Sequence, residues 1–418
     1  MNPNPLSRRR FGLNVLATVP AALGAGPLAA QTSAPGGVAG GSSNDIRIAH
    51  IHSRSGALEG YGKQTATGFM MGLDYATGGS YSVAGRKLAV IECDDQGSAD
   101  RARDLLLRGF RDERIDIAVG TTSTRATLAL LPLAEEFRRV LLVEPAVADA
   151  ITGEQGNRYV FRTSRSASQE AIANAVALDA GGGRIAVLAQ DSAYGRDGAA
   201  AFRQALRRAR SVHDEFLPTT QTDFSFAAQR LVESLKGQPG RKRIWVLWAS
   251  GPGNPFDAPD LQPAALQRHG IELATAGSIL AAMVRLKAYT GLEGATYYHY
   301  AIPKNPANEW LVANHYKRFR TPPDFFTVGG MSAAMALVEA LKKTQGRADG
   351  DTLVTAMEGL RFDTPKGPMQ FRAEDHQAMQ SMYHYRVVAD AAVPWAVPTL
   401  VREIKPDEIV LPVQPRRR

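Results

Sequence analysis

A chain of 418 residues, 44% hydrophobic and 22% charged, can bury a sizeable core and has room for two domains. Its formal charge of +8 is concentrated at the ends: Arg8, Arg9, Arg10, Arg416, Arg417 and Arg418 leave about +2 for the body, which argues against a nucleic-acid partner. Cys93 is the single cysteine, so an intrachain disulfide and a cysteine metal cluster are excluded.

The first element in chain order is an export signal over residues 1–34. Ser7-Arg8-Arg9-Arg10-Phe11 resembles the twin-arginine pattern, and an apolar stretch broken by Gly and Pro runs on to small residues near Ala30–Ala34. No later run reads as a spanning helix, so the mature chain is expected in a bacterial periplasm. A Gly/Ser-rich lead-in precedes Asp45.

From there short apolar runs alternate with amphipathic patterns. Strands are predicted at 46–52, 87–93, 115–120 and 140–145, with helices over Tyr61–Ala76, Ala99–Asp112 and Thr124–Phe137 between them. The alternation restarts with strands at 184–190, 211–218 and 243–250 and helices at Gly195–Arg208, Asp223–Leu235 and Pro263–Arg268. A helix at Ala281–Tyr289, a strand at 295–303 and helices at 306–319 and 330–344 follow, and 369–388 reads as an antiparallel hairpin pair. Alternation at this spacing means parallel strands joined by crossover helices. The fold class is therefore α/β, with two Rossmann-like lobes, each a mainly parallel sheet flanked by helices. Ligands of such sheets bind beyond the carboxyl ends of the strands, and two facing sheets make a cleft.

The stretch "VGTTSTRATLALLPLAEEF" (119–137) places four hydroxyl residues, Thr121 to Thr124, where a buried strand gives way to a helix. Two readings compete. Ser123 or Thr122 simply caps the helix, or the unpaired N–H groups, the helix dipole and the hydroxyls together receive an anion. The dipole contributes roughly 0.3–2 kcal/mol to such a contact, and each hydroxyl donor to a charged group adds roughly 1.5–3 kcal/mol.

In order and spacing, "HSRSGALEGYG", "ECDDQGSADRA", "VGTTSTRATLALLPLAEE", "EPAVADAIT", "FRTSRS" and "QDSAYGRDGAAAF" resemble the periplasmic solute-binding proteins of the branched-chain amino-acid type. The resemblance spans Asp45 to Val388 and implies the type I binding-protein fold. It implies three crossovers, near Arg162, near Tyr300 and near 362–370, with one lobe formed by 45–162 plus 300–362, the other by 163–299 plus 363–400, and a tail at 401–418. It also implies a monomer that closes on a small ligand and hands it to an ABC permease in the inner membrane, without catalysis or cofactor.

Aligned with that family, Ser123, with Thr122, matches the carboxylate-binding position. Tyr61 matches a cleft-edge tyrosine, and Ala146 and Ala148 match contacts after the fourth strand, where the usual hydroxyl is missing at Ala148. Tyr194 matches an aromatic residue that closes over the ligand, and Trp248 ends a strand facing the cleft or packs in the core. His52 and Arg54 add positive character. The acid that holds the ligand ammonium in amino-acid binders has no counterpart in "TAGSILAAM" (275–283), where Ile279 stands about in its place. A small carboxylate lacking an amino group, aromatic or otherwise apolar, is the preferred ligand, unless Asp257 or Asp260 supplies the acid.

Competing chemistry is thin. His50 and His52 share a strand face but lack companions for a metal site. Asp94 and Asp95 read as loop residues, and "GGGRIA" (181–186) precedes a strand, so it is a turn and no dinucleotide fingerprint. An exported enzyme and a sensor component that signals to a membrane receptor remain the alternatives.

Overall fold

Burial on both faces makes the inner strands of this chain, such as 117–120 and 141–143, apolar runs, and serines and aspartates cap several of the covering helices. The computed structural model describes residues 44–249 and 251–414; the predicted export signal and the terminal arginines lie outside the described residues. The first half contributes β1 (Ile46–His52), α1 (Glu59–Ala76), β2 (Ser82–Val83), β3 (Arg86–Asp94), α2 (Ala99–Arg111), β4 (Ile117–Gly120), α3 (Thr124–Glu136), β5 (Leu141–Val143) and β6 (Val160–Arg162). These strands form a six-stranded sheet in the order β2-β3-β1-β4-β5-β6, parallel apart from the β2–β3 hairpin.

The chain then crosses over and builds α4 (Ala167–Asp179), β7 (Gly183–Gln190), α5 (Ala193–Ala205), β8 (Ala209–Leu217), α6 (Ser225–Leu235), β9 (Lys242–Leu247), α7 (Pro263–Gln267), β10 (Ile271–Thr275), α8 (Leu280–Leu286) and β11 (Glu293–Thr296). It returns through α9 (Pro306–Phe319), α10 (Phe325–Lys343), α11 (Gly350–Met357) and a small sheet of β12 (Arg361–Phe362), β13 (Met369–Phe371) and β14 (Ala378–Met379). Finally β15 (Met382–Val388) and β16 (Val397–Ile404) complete a seven-stranded sheet, β16-β15-β11-β10-β9-β7-β8, in which β15 alone runs against the other strands.

Two lobes with mainly parallel sheets are as expected, but the third crossover is not where the sequence suggested. Phe362, Met369, Phe371 and Ala378 are buried in the same apolar cluster as β1, β4 and β5, so 363–379 packs with the first lobe and the chain crosses at Gln380–Ser381. The expected hairpin is divided for the same reason: β13 pairs with β14 and β15 pairs with β11. The expected tail begins inside β16. The strand expected at 295–303 ends at Thr296, and Tyr297 onward forms the second crossover.

The helix α10 has 19 residues and a mean hydropathy of 1.3, enough by length and composition to cross a membrane, which the sequence reading had not found in any run. In the fold, 83% of that apolar window is buried inside the protein. It lies against α1, and a Cβ at Gly68 or Gly330 would overlap the backbone of Thr327 or Thr65, so the glycines set the close approach.

At the end of β4 the hydroxyl residues are largely occupied. Thr122 Oγ1 accepts from the Ser53 N–H at 2.9 Å, and the Thr121 hydroxyl donates to the Ser123 carbonyl at 3.0 Å. Ser123 caps α3, its Oγ accepting from the Ala126 N–H at 3.1 Å. Gly120, at φ +136°, lets the strand pass the Ile51 carbonyl, with which a Cβ would collide. Asp94 and Asp95 likewise bind loop N–H groups, of Gln96 and Gly97.

His50 is fully buried between Phe69, 4.8 Å away ring to ring, and His52 at 4.7 Å. Desolvation, and then the neighbouring His52, lower its pKa from 6.5 to about 3. His52 is 2% exposed and is also lowered, first by burial, so it brings no positive charge to the cleft as had been expected.

Two outcomes follow. Between pH 6.5 and about 3 the unfolded chain binds a proton at His50 that the folded chain refuses, so stability falls with acidification through that window by up to ~1.4 kcal/mol per pH unit. Urea unfolding of wild type and His50→Leu at about pH 7 and about pH 4.5 will show a smaller acid loss in the variant; equal losses contradict the account. Ser123→Ala will lose about 1 kcal/mol of stability in denaturant titrations at neutral pH, because the Ala126 N–H loses its acceptor.

Candidate functional site

The carboxyl ends of β9 and β10 lead into segments that line a cavity of about 370 Å³ between the lobes. That volume is at the lower end for small-molecule pockets. The second lobe contributes Tyr194, Trp248 and the segments 251–257 and 275–286; the first contributes Tyr61, Phe325 and Phe326; Arg165 enters from the first crossover.

Tyr61 on α1 stacks obliquely on Phe326, 4.4 Å between centroids, and its hydroxyl donates across the cleft to the Ala249 carbonyl at 3.4 Å. Asp324 makes a second link. It caps α10 through the Phe325 N–H at 2.7 Å and accepts from the Leu280 N–H at 3.1 Å, so the first turns of α10 and α8 share one carboxylate. Trp248 satisfies both of its expected readings, lining the cavity while packing edge-on against Phe224 at 4.9 Å.

Arg165, Arg285 and Asp257 are the charged residues of the cavity wall, and Arg165 is the most deeply buried of them. Ser166 caps α4, accepting from the Gln169 N–H at 3.0 Å, which brings the residue before the cap against the fourth helical residue. Those two residues are Arg165 and Glu170. Arg165 Nε donates to Glu170 Oε1 at 2.8 Å, and the Tyr194 hydroxyl donates to Glu170 Oε2 at 2.8 Å. Glu170 is fully buried and Arg165 side-chain exposure is 9%. Burial opposes the charge on Arg165, but Glu170 outweighs it and holds the guanidinium protonated, its pKa raised. The guanidinium also lies over the rings of Tyr297 and Phe325, at 5.0 and 4.8 Å.

Beneath this layer a buried polar network joins the three crossovers. Thr163 Oγ1 donates to Glu144 Oε2 at 3.0 Å, Lys366 Nζ donates to Gln380, and the Lys366 ammonium stands 4.4 Å from the Tyr297 ring centroid. Burial raises the Glu144 carboxyl and lowers the Lys366 amine, and each group's charge partly restores the other.

Of the residues singled out from sequence, Tyr61, Tyr194 and Trp248 meet at the cavity. Ser123 and Thr122 are engaged in the β4–α3 turn and are not among its lining residues. Ala146 and Ala148 are buried in the first-lobe core, their carbonyls accepting from Ser164 Oγ and Arg162 Nη1. Arg54 is exposed and faces Glu92 at 3.6 Å. Ile279 does line the cavity, and Asp257 is the one carboxylate among the described lining residues, ion-paired with Arg285 at 3.2 Å. Among the described residues no group of three His, Cys, Asp or Glu side chains could hold a metal. Sequence reasoning missed Arg165, although "RSASQE" carried the signal of a capped helix start flanked by opposite charges. Phe325 and Phe326 had no local signal, since they reach the cleft through the return of the chain.

Comparison with known proteins agrees with this architecture. Residues 45–392 match the model of the periplasmic binding protein family. A Leu/Ile/Val-binding protein homolog 6 from Brucella melitensis is 25% identical over 309 residues, covering 72% of this chain and 76% of the relative. A crystal structure of an ABC-type branched-chain amino acid transporter from Rhodopseudomonas palustris is 54% identical, covers 89% of this chain and 100% of that chain, and superposes with a TM-score of 0.84. A solute binding protein of an ABC transporter from the same species, in complex with 3,4-dihydroxybenzoic acid, is 26% identical over 87% of this chain and 98% of that chain, with a TM-score of 0.75. Family members are periplasmic proteins that bind small molecules for ABC transporters. The chain therefore belongs to the periplasmic binding proteins, as a substrate-binding protein of the ABC-transporter type.

Proposed function

We propose that this protein captures a small carboxylate lacking an amino group, with aromatic acids the preferred class, in the interlobe cavity and delivers it to an inner-membrane ABC permease. It acts as a periplasmic monomer without catalysis. The observation that carries the reading is the cavity wall: aromatic rings surround Arg165, and no unpaired carboxylate is among the described lining residues. An ammonium enclosed there without a partner would cost several kcal/mol. A carboxylate meets a guanidinium with five N–H donors, of which Nε–H is directed to Glu170. In this reading Tyr61, Tyr194 and Trp248 contact the ring of the ligand, and lobe closure excludes water from it. The relative bound to 3,4-dihydroxybenzoic acid supports the ligand class.

A thermal-shift panel of benzoate, hydroxylated benzoates, short aliphatic acids, leucine and glutamate tests it. Amine-free aromatic acids will raise Tm, and a ligand at a hundred times its Kd adds about 2.7 kcal/mol of stability. Leucine or glutamate stabilising the protein more than every amine-free acid would overturn the assignment.

A further inference from the structure

Around Arg165 stand the parts of a receptor for a cation. Glu170 is a carboxylate with no exposed surface, one oxygen turned to Arg165 Nε and the other held by the Tyr194 hydroxyl, each at 2.8 Å. Tyr297 and Phe325 present ring faces to the guanidinium at 5.0 and 4.8 Å. A buried carboxylate facing aromatic rings is the usual chemistry for holding an ammonium or guanidinium group. Here the group is part of the chain, and it also lines the ligand cavity.

We propose that Arg165 is a built-in occupant of a cation site formed by Glu170, Tyr194, Tyr297 and Phe325, and that this occupancy sets the specificity of the cavity. With the chain's own guanidinium in place, Glu170 is unavailable to a ligand amine and the surface offered to the ligand is positive. Without it, the same walls select the opposite charge. This inference rests on the proposed binding of amine-free carboxylates, and it adds that the discrimination resides in one side chain and can be inverted. Arg165 reaches this position because Ser166 caps α4 and brings the residues on either side of the first turn together.

The test compares wild type, Arg165→Ala and the double variant Arg165→Ala/Glu170→Gln, each assayed by thermal shift and calorimetry with methylguanidinium, ethylammonium and benzoate. Sodium chloride at equal ionic strength is the control. Arg165→Ala is expected to lose at least tenfold in benzoate affinity and to gain saturable binding of methylguanidinium or ethylammonium that wild type lacks. The double variant, in which the Glu170 carboxylate is gone and Asp257 remains paired with Arg285, is expected to bind neither cation. A folded Arg165→Ala that responds to neither cation overturns the proposal, as does a double variant that binds them equally well.

Should Arg165→Ala fail to fold alone because Glu170 is left buried and unpaired, refolding with and without methylguanidinium decides the question. Recovery only with the cation supports a receptor; no recovery with it, while the double variant folds, overturns it. Failure of the functional reading is separately visible. Wild type then binds no amine-free carboxylate at all, whereas failure of this inference alone leaves benzoate binding intact and Arg165→Ala blind to cations.

Discussion

Glu170 lies in the first turn of α4 with no surface open to water, and the cleft of this protein is organised by how that charge is compensated. A carboxylate taken out of water is strongly destabilising unless a counter-charge and donors reach it. Arg165 and Tyr194 do so from two directions, one from the crossover and one from the start of α5. Meeting the needs of Glu170 therefore fixes the path of the crossover, the rotamer of a cavity-wall tyrosine and the orientation of the guanidinium. The position of the Arg165 charge in the cavity wall follows from how one buried acid is satisfied.

The same logic extends through the joint between the lobes. Three crossovers converge there, and their backbone groups and side chains are tied by polar contacts that are themselves buried: Thr163 with Glu144, Lys366 with Gln380, and Gln377 with Arg162 and the Ser164 carbonyl. Such networks are directional, so they define one arrangement of the strands more sharply than apolar packing alone would. Above them two polar links span the cleft. Tyr61 reaches Ala249, and Asp324 holds the starts of α8 and α10 together.

The hydroxyl-rich turn before α3 illustrates how sequence pattern and structural role can separate. Small hydroxyls at a strand–helix junction serve equally well as caps, as loop ties or as ligand donors, because each use needs the same short side chain. In the fold Thr121 donates to the Ser123 carbonyl, while Thr122 accepts from the Ser53 N–H and Ser123 from the Ala126 N–H. The cavity wall collects aromatic residues and two arginines, Arg165 and Arg285, from segments far apart in the chain. Tyr61 and Tyr194 were legible through the motifs that carry the family resemblance, and Trp248 through its place at the end of a strand; all three line the cavity. Phe325 and Phe326 were not, because they are placed by α10 returning to pack on α1.

What the sequence determined by itself was the alternation of apolar runs and amphipathic helices, and with it two mainly parallel sheets, since local periodicity and serine caps are short-range properties. The exclusion of disulfides followed from one cysteine. Only the tertiary structure decided that 363–379 belongs with the first lobe, that His50 and His52 are buried with lowered pKa, and that Arg165 reaches the wall of the cleft. Those outcomes depend on burial and on partners distant in the chain, and burial sets whether a titratable side chain is a surface charge, a buried neutral group or half of an ion pair.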